Sequence, residues 1–177
     1  MAADARLRLF CALLLPGDVV ERLVAWQHAE LRGGRLVPPE NLHVTLAFLG
    51  SRPAEELTAI AGALRAAAAD AGEVRLRLRG YRETRSVGML TLDDEGGRAT
   101  GLAGRLHAGL EALGAYTPEP RPWLAHLTVL RFKERPRLDP VLPELGEVVP
   151  SDAAVFISTL RPGGAEYESV ETVALGG

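Results

Sequence analysis

"ENLHVTLAFLG", residues 40–50, sets a histidine and a threonine two apart inside a run of leucine, valine and phenylalanine. Side chains alternate along a β-strand, so His43 and Thr45 share one face while Val44 and Leu46 share the other. The apolar pair anchors the strand in a core and the polar pair faces a cleft. The same arrangement recurs in "PWLAHLTVLRF", residues 122–132, with His126 and Thr128 on one face and Leu127 and Val129 on the other. From 43 to 126 is 83 residues, close to half of the 177-residue chain, a spacing that points to two similar lobes facing each other.

A single His-x-Thr reads as a core histidine satisfied by a neighbouring hydroxyl, because buried polar groups need partners. Duplicated inside two apolar strands, it reads as chemistry. Histidine titrates near neutrality, so one imidazole can hold a proton while the other lacks it. Two of them across a cleft make a general acid and a general base. The threonine hydroxyls can donate to non-bridging phosphate oxygens and stabilise developing negative charge. A cyclic phosphodiester fits this set: a water must lose a proton to attack, and a leaving alkoxide must gain one. Neither step needs a metal. Zinc would want a third ligand besides His43 and His126, and no H-E-x-x-H pattern is present; no metal and no cofactor are expected.

The bulk numbers suit an ordinary globule, with 47% apolar and 24% charged residues and a net charge of −3. A protein that coats long nucleic acid is usually basic, so that use is not expected; a local arginine cluster could still hold one or two phosphates, which leaves a short RNA end open. The single cysteine, Cys11, permits no internal disulfide and lies in an apolar run, so it reads as core in a reducing, cytoplasmic protein. No stretch is apolar for long enough to span a membrane as a helix.

Strands are expected over 6–15, 42–49, 74–80, 86–94 and 124–132, and in "AVFISTL" and "YESVETVAL". Helices are expected over about 17–34, 53–71 and 97–113. In the first helix Asp18 and Glu21 form a capping-box-like start, Val20, Leu23, Val24 and Leu31 the buried stripe, and Gly33–Gly34 the stop. In the third, Leu102, Leu106, Leu110 and Leu113 are in register. Mixed strands and helices without a steady βαβ beat favour an α+β fold with mainly antiparallel sheets. No glycine-rich phosphate loop of either common type is present.

Two H-x-T motifs in a chain of this size resemble the 2H phosphoesterase superfamily, and in particular its RNA 2′,3′-cyclic phosphodiesterase branch, also called the 2′–5′ RNA ligase family. "RLRLFCALLLPGDVVERL" is similar to that family's opening strand and helix, "RLVPPENLHVTLAFLG" to its first motif, "HLTVLRF" to its second, and "LRPGGAEYESV" to its closing hairpin. One departure is Ala125, where the family usually has proline; this is expected to alter local backbone and not chemistry. The resemblance implies one bilobal domain over 1–177. Its two pseudo-symmetric lobes would each be a mainly antiparallel sheet with helices outside, flanking a positively lined groove. It implies hydrolysis of RNA 2′,3′-cyclic phosphate ends to 2′-phosphomonoesters, with reversible 2′–5′ ligation as a second activity. It implies His43 as proton donor, His126 as proton acceptor, and Thr45, Thr128 and Arg131 as phosphate-binding groups. The residues alone do not assign acid and base between two alike motifs.

Two other readings compete: a phosphodiesterase for a small cyclic phosphate, and a non-catalytic RNA-binding module. RNA ends or small nucleotides with a 2′,3′-cyclic phosphate are the expected partners of a monomer that meets no membrane. Phe10 and Phe48 read as core aromatics before they read as base-stacking platforms. Arg75, Arg77 and Arg79 read as a solvated sheet face before an RNA-facing stripe. His28 and His107 read as boundary residues of helices, and Trp123 either lines the groove or packs.

Overall fold

The computed structural model describes residues 5–175. Its elements are β1 (Arg6–Leu14), α1 (Gly17–Glu30), β2 (Arg35–Leu36), β3 (His43–Pro53), α2 (Leu57–Ala69), β4 (Arg75–Glu83), β5 (Val87–Glu95), α3 (Arg98–Ala112), β6 (His126–Arg131), β7 (Glu147–Val148), β8 (Asp152–Arg161) and β9 (Gly164–Ala174). The expected α+β, antiparallel character holds. The strands form one curled sheet in the order β7-β4-β5-β6-β3-β1-β8-β9, with β2 added beside β6. The two expected lobes are the halves of this sheet, and they meet where β3 and β6 pair at Val44 and Leu127. Both residues are buried, so the seam between the halves is fixed by the apolar face of the two motif strands.

The halves are not halves of the chain. β1 and β3 are completed by β8 and β9 from the far end of the sequence. The helices lie against the core: α2 and α3 pack together, with Arg105 of α3 donating to the Ala67 carbonyl of α2. α1 follows β1 in the chain but reaches the other half, where Gln27 donates to the carbonyls of Val37 and Val129 at 3.0 and 2.9 Å.

Several local expectations are corrected. α1 begins at Gly17 behind Pro16, and no side chain caps it. Asp18 sits inside the first turn, where its charge favours the helix dipole, and reaches Arg22 only at 3.9 Å. The buried stripe is Val19, Leu23, Trp26 and Gln27, with Val20 and Val24 on its flank. α1 ends at Glu30, so Gly33 and Gly34 do not stop it. Gly34 serves β2 instead, since a Cβ there would lie 2.3 Å from the Arg131 carbonyl oxygen, and Gly33, at φ +84°, passes close to Pro136. α2 is preceded by a short 3-10 turn at Ala54–Glu56. Leu113 falls just past α3 and is exposed. Arg75, Arg77 and Arg79 lie on the outer face of β4 as an ion-pair ladder with Glu73, Glu95, Glu147 and Asp93. The proline-rich stretch after β6 is held by Glu83, whose buried carboxylate accepts from Tyr81 and from the backbone of Arg137 and Leu138.

Gln27 is the buried polar group on which the β6 half leans. Gln27→Leu removes two hydrogen bonds without a large volume change. It is expected to lower unfolding free energy by roughly 1–3 kcal/mol, the usual cost of unpaired buried groups; urea denaturation measures this, and an unchanged midpoint would refute the role.

Candidate functional site: an arginine-lined cleft between two motif strands

β3 and β6 run antiparallel through the Val44–Leu127 pair. One step to either side, that register sets Thr45 opposite His126 and His43 opposite Thr128. All four side chains are half-buried and line one cleft of about 1130 Å³. Arg131 lines it too, so all five sequence-derived candidates come together.

Strict alternation does not put Arg131 there, because it lies three residues after Thr128. A β-bulge does. Gly88 of β5 pairs with Leu130 and Met89 with Thr128, leaving Val129 as an extra residue. The bulge reverses the parity of the strand beyond it and re-aims Arg131 at the cleft. β3 carries the matching feature: Ala12 of β1 pairs with Thr45 and Cys11 with Ala47, leaving Leu46 extra. Phe48, three after Thr45, thereby turns into the cleft and is 49% exposed, contrary to its reading as core. Arg8 stacks its guanidinium 4.7 Å from the Phe48 ring centre.

Each bulge is pinned at its extra residue by a helix side chain. Gln27 of α1 holds the Val129 carbonyl. On the other half His107 Nε2 donates to the Leu46 carbonyl at 2.7 Å, its ring tilted against Tyr116. His107 is therefore not the plain boundary residue expected. Trp123 also belongs to the cleft, its Nε1 donating to the Thr45 carbonyl at 3.1 Å. His28 is exposed on α1 and contributes nothing here. Ala125 is buried and its carbonyl accepts from Leu92 in β5.

The two motif histidines have different surroundings. His43 lies 2.9 Å from the Thr45 hydroxyl through Nε2. Its ring stacks on Phe10 at 4.9 Å, with Phe156 and Tyr167 behind. Phe10 is thus core, as read, and also the pedestal of a site residue. Burial pushes the His43 pKa down to about 4; a hydrogen bond with the Asn41 backbone opposes this, and the positive charges of Arg131 and His126 add to it. His126 donates from Nδ1 to the Leu124 carbonyl at 2.9 Å, which leaves Nε2 as the free ring nitrogen.

The cleft carries Arg8, Arg35, Arg82, Arg121, Arg131 and Arg161 against one carboxylate, Glu119, in a chain whose net charge is −3. Arg82 and Arg121 lie outside every motif stretch, and Arg35, which opens the first of them, is given no role by sequence reading. Among the described residues no three His, Cys, Asp or Glu side chains gather as a metal site, and no helix is long and apolar enough to cross a membrane. Cys11 is buried, its thiol pushed up to about 12, and is inert.

Two histidine–threonine strands opposed across one basic cleft, in a curled antiparallel α+β sheet, are the mark of the two-histidine phosphoesterases. Residues 13–86 match the family described as LigT like Phosphoesterase. The RNA 2′,3′-cyclic phosphodiesterase of Thermus thermophilus is 36% identical over 182 aligned positions, covering 97% of this chain and 91% of that protein. That of Escherichia coli is 43% identical over 63 positions, covering 33% of this chain and 36% of that protein. The crystal structure of TT0787 of Thermus thermophilus superposes with a TM-score of 0.83 at 35% identity, covering 96% of this chain and 98% of its own. The chain belongs to the LigT-like phosphoesterase family.

The depressed His43 pKa makes a signed prediction. Between about pH 6.5 and 4 the unfolded chain binds a proton at His43 that the folded chain does not, so folded stability falls as pH falls through that window. The stability of the native chain relative to His43→Asn is expected to shrink over the same range. Thermal unfolding of both from pH 7 to 4 tests it; parallel curves would contradict the assignment.

Proposed function

We propose that this protein hydrolyses RNA ends carrying a 2′,3′-cyclic phosphate to 2′-phosphomonoesters. The observation that carries the reading is the opposition of two imidazole–hydroxyl pairs across the Val44–Leu127 seam inside an arginine-lined cleft. The relatives named RNA 2′,3′-cyclic phosphodiesterase support the substrate class.

In this scheme the phosphate enters between Thr45 and Thr128, whose hydroxyls donate to its non-bridging oxygens. Arg131 adds a charge-assisted contact. His126, with Nδ1 tied to a carbonyl and Nε2 bare, accepts the proton of the attacking water. His43 donates a proton to the departing 3′ oxygen. The bound phosphate anion counters the repulsion from Arg131 and favours the protonated His43 that an acid requires. Both proton transfers and the charge stabilisation are met by side chains, so turnover is expected to persist in chelator. With an RNA 5′-hydroxyl in place of water, the same groups run the same displacement: the 5′ oxygen loses its proton and bonds to phosphorus, the 3′ oxygen leaves protonated, and a 2′–5′ linkage forms.

One observation favours exchanged roles. Burial keeps His43 neutral in the open cleft, the state a base needs. The two assignments separate with a leaving group that needs no proton, such as p-nitrophenolate. If His43 is the acid, His43→Ala slows the cyclic substrate by roughly 10²–10⁴ but a p-nitrophenyl diester far less, and His126→Ala slows both. The reverse pattern would exchange the roles. A 3′-phosphate product, or full activity in either variant, would remove the scheme.

A further inference from the structure

The cleft has two chemically different ends. Because β3 and β6 run in opposite directions through their seam, Phe48 and Arg131 lie on opposite sides of it. On the Phe48 side stand Trp123, Tyr116 and His107, an aromatic end. On the Arg131 side β2 sets Arg35 directly across the ladder from Arg131, and the Arg161–Ala165 turn closes over it.

Like charges directly opposite each other destabilise a sheet. Among the described residues Arg35, Arg82 and Arg131 have no carboxylate partner, whereas Arg75, Arg77 and Arg79 on the outer face of β4 are all paired. Arg35 is nevertheless held in place. One of its Nη atoms donates to the Gly163 carbonyl, and Asn41 secures the same turn through Ala165 at 2.9 Å. A guanidinium has five N–H donors, so most of those on Arg35 are uncommitted. An anchored arginine with no carboxylate partner, set beside another on the same wall of a cleft, is arranged for an anion.

We propose that Arg35 forms a second phosphate subsite, which takes the phosphate on the 5′ oxygen of the nucleotide bearing the cyclic phosphate, the one linking it to the preceding nucleotide. This rests on the reading of the cleft as a site for cyclic-phosphate ends. The cyclic phosphate occupies one edge of the ribose, and the base and the 5′ oxygen leave from the other. With the cyclic group at the seam, the base extends toward the aromatic end, where stacking is available. The 5′ phosphate extends toward Arg35, where a charge-assisted contact is available. The protein therefore selects an RNA end over a free cyclic nucleoside.

The test compares kcat/KM for adenosine 2′,3′-cyclic phosphate, the same compound with a 5′-phosphate, and the dinucleotide ApA with a 2′,3′-cyclic end. The native protein is expected to prefer both 5′-substituted substrates at least tenfold. Arg35→Ala is expected to abolish that preference and to reduce the salt slope for the dinucleotide by about one, and Arg35→Lys to keep part of both. Equal rates on all three substrates would overturn the subsite. So would an equal loss on all three in Arg35→Ala, and so would a preference limited to the 5′-phosphomonoester. Calorimetric binding of adenosine 2′,5′-bisphosphate against adenosine 2′-monophosphate reads the subsite without turnover. It separates failure of the subsite, seen as equal affinities, from failure of the catalytic reading, seen as no hydrolysis.

Discussion

A β-strand sends side chains three residues apart to opposite faces. Thr45 and Phe48, and Thr128 and Arg131, nevertheless line one cleft. The contradiction is resolved by one extra residue in each strand, Leu46 and Val129. Without those bulges Arg131 would point into the apolar core, where an unpaired charge is untenable, and the cleft would lose one of its cations. The carbonyl of each extra residue is taken by a side chain from a helix, His107 on one half and Gln27 on the other. Two helices that share no sequence pattern thus do equivalent work.

The charge distribution follows from the same geometry. Arginines on the outer face of β4 meet carboxylates from its neighbouring segments, so that face is nearly neutral. The inner face carries arginines with almost no acidic counterpart. A modestly acidic protein can therefore hold a phosphate, because the field that matters is local and screened beyond roughly 8–10 Å. Net charge argues against coating of long nucleic acid and not against a grip on its end.

The motif strands are legible because period-two alternation is a property of short sequence windows: His43, Val44, Thr45 and Leu46 declare their faces by polarity alone. α2 and the leucines of α3 are legible for the same reason at helical period. The bulges are not, since a single inserted residue changes parity without leaving a compositional trace. Phe48 therefore reads as core, and Arg131 is placed only by resemblance. Gln27, His107 and Arg35 escape a sequence reading because each acts on a backbone carbonyl or a cross-strand neighbour distant in sequence. The capping expectation at Asp18 fails because Pro16 starts the helix earlier, and the glycine stop fails because Gly34 answers to β6 and Gly33 to Pro136 rather than to α1.

In the proposed scheme two nearly identical motifs perform unlike tasks, and the motif itself cannot separate them. The surroundings can. His43 stands on a pile of rings, Phe10, Phe156 and Tyr167, in a place that resists positive charge until an anion arrives. His126 lies toward the Trp123 side, its ring oriented by a backbone carbonyl rather than by stacking. In that scheme a proton on His43 is coupled to the presence of phosphate, whereas the free nitrogen of His126 is set by its bond to the Leu124 carbonyl. Pseudo-symmetry supplies two copies of the same motif, and the unequal packing of β1 and β8 behind one of them is the physical ground on which the proposed scheme assigns them different duties.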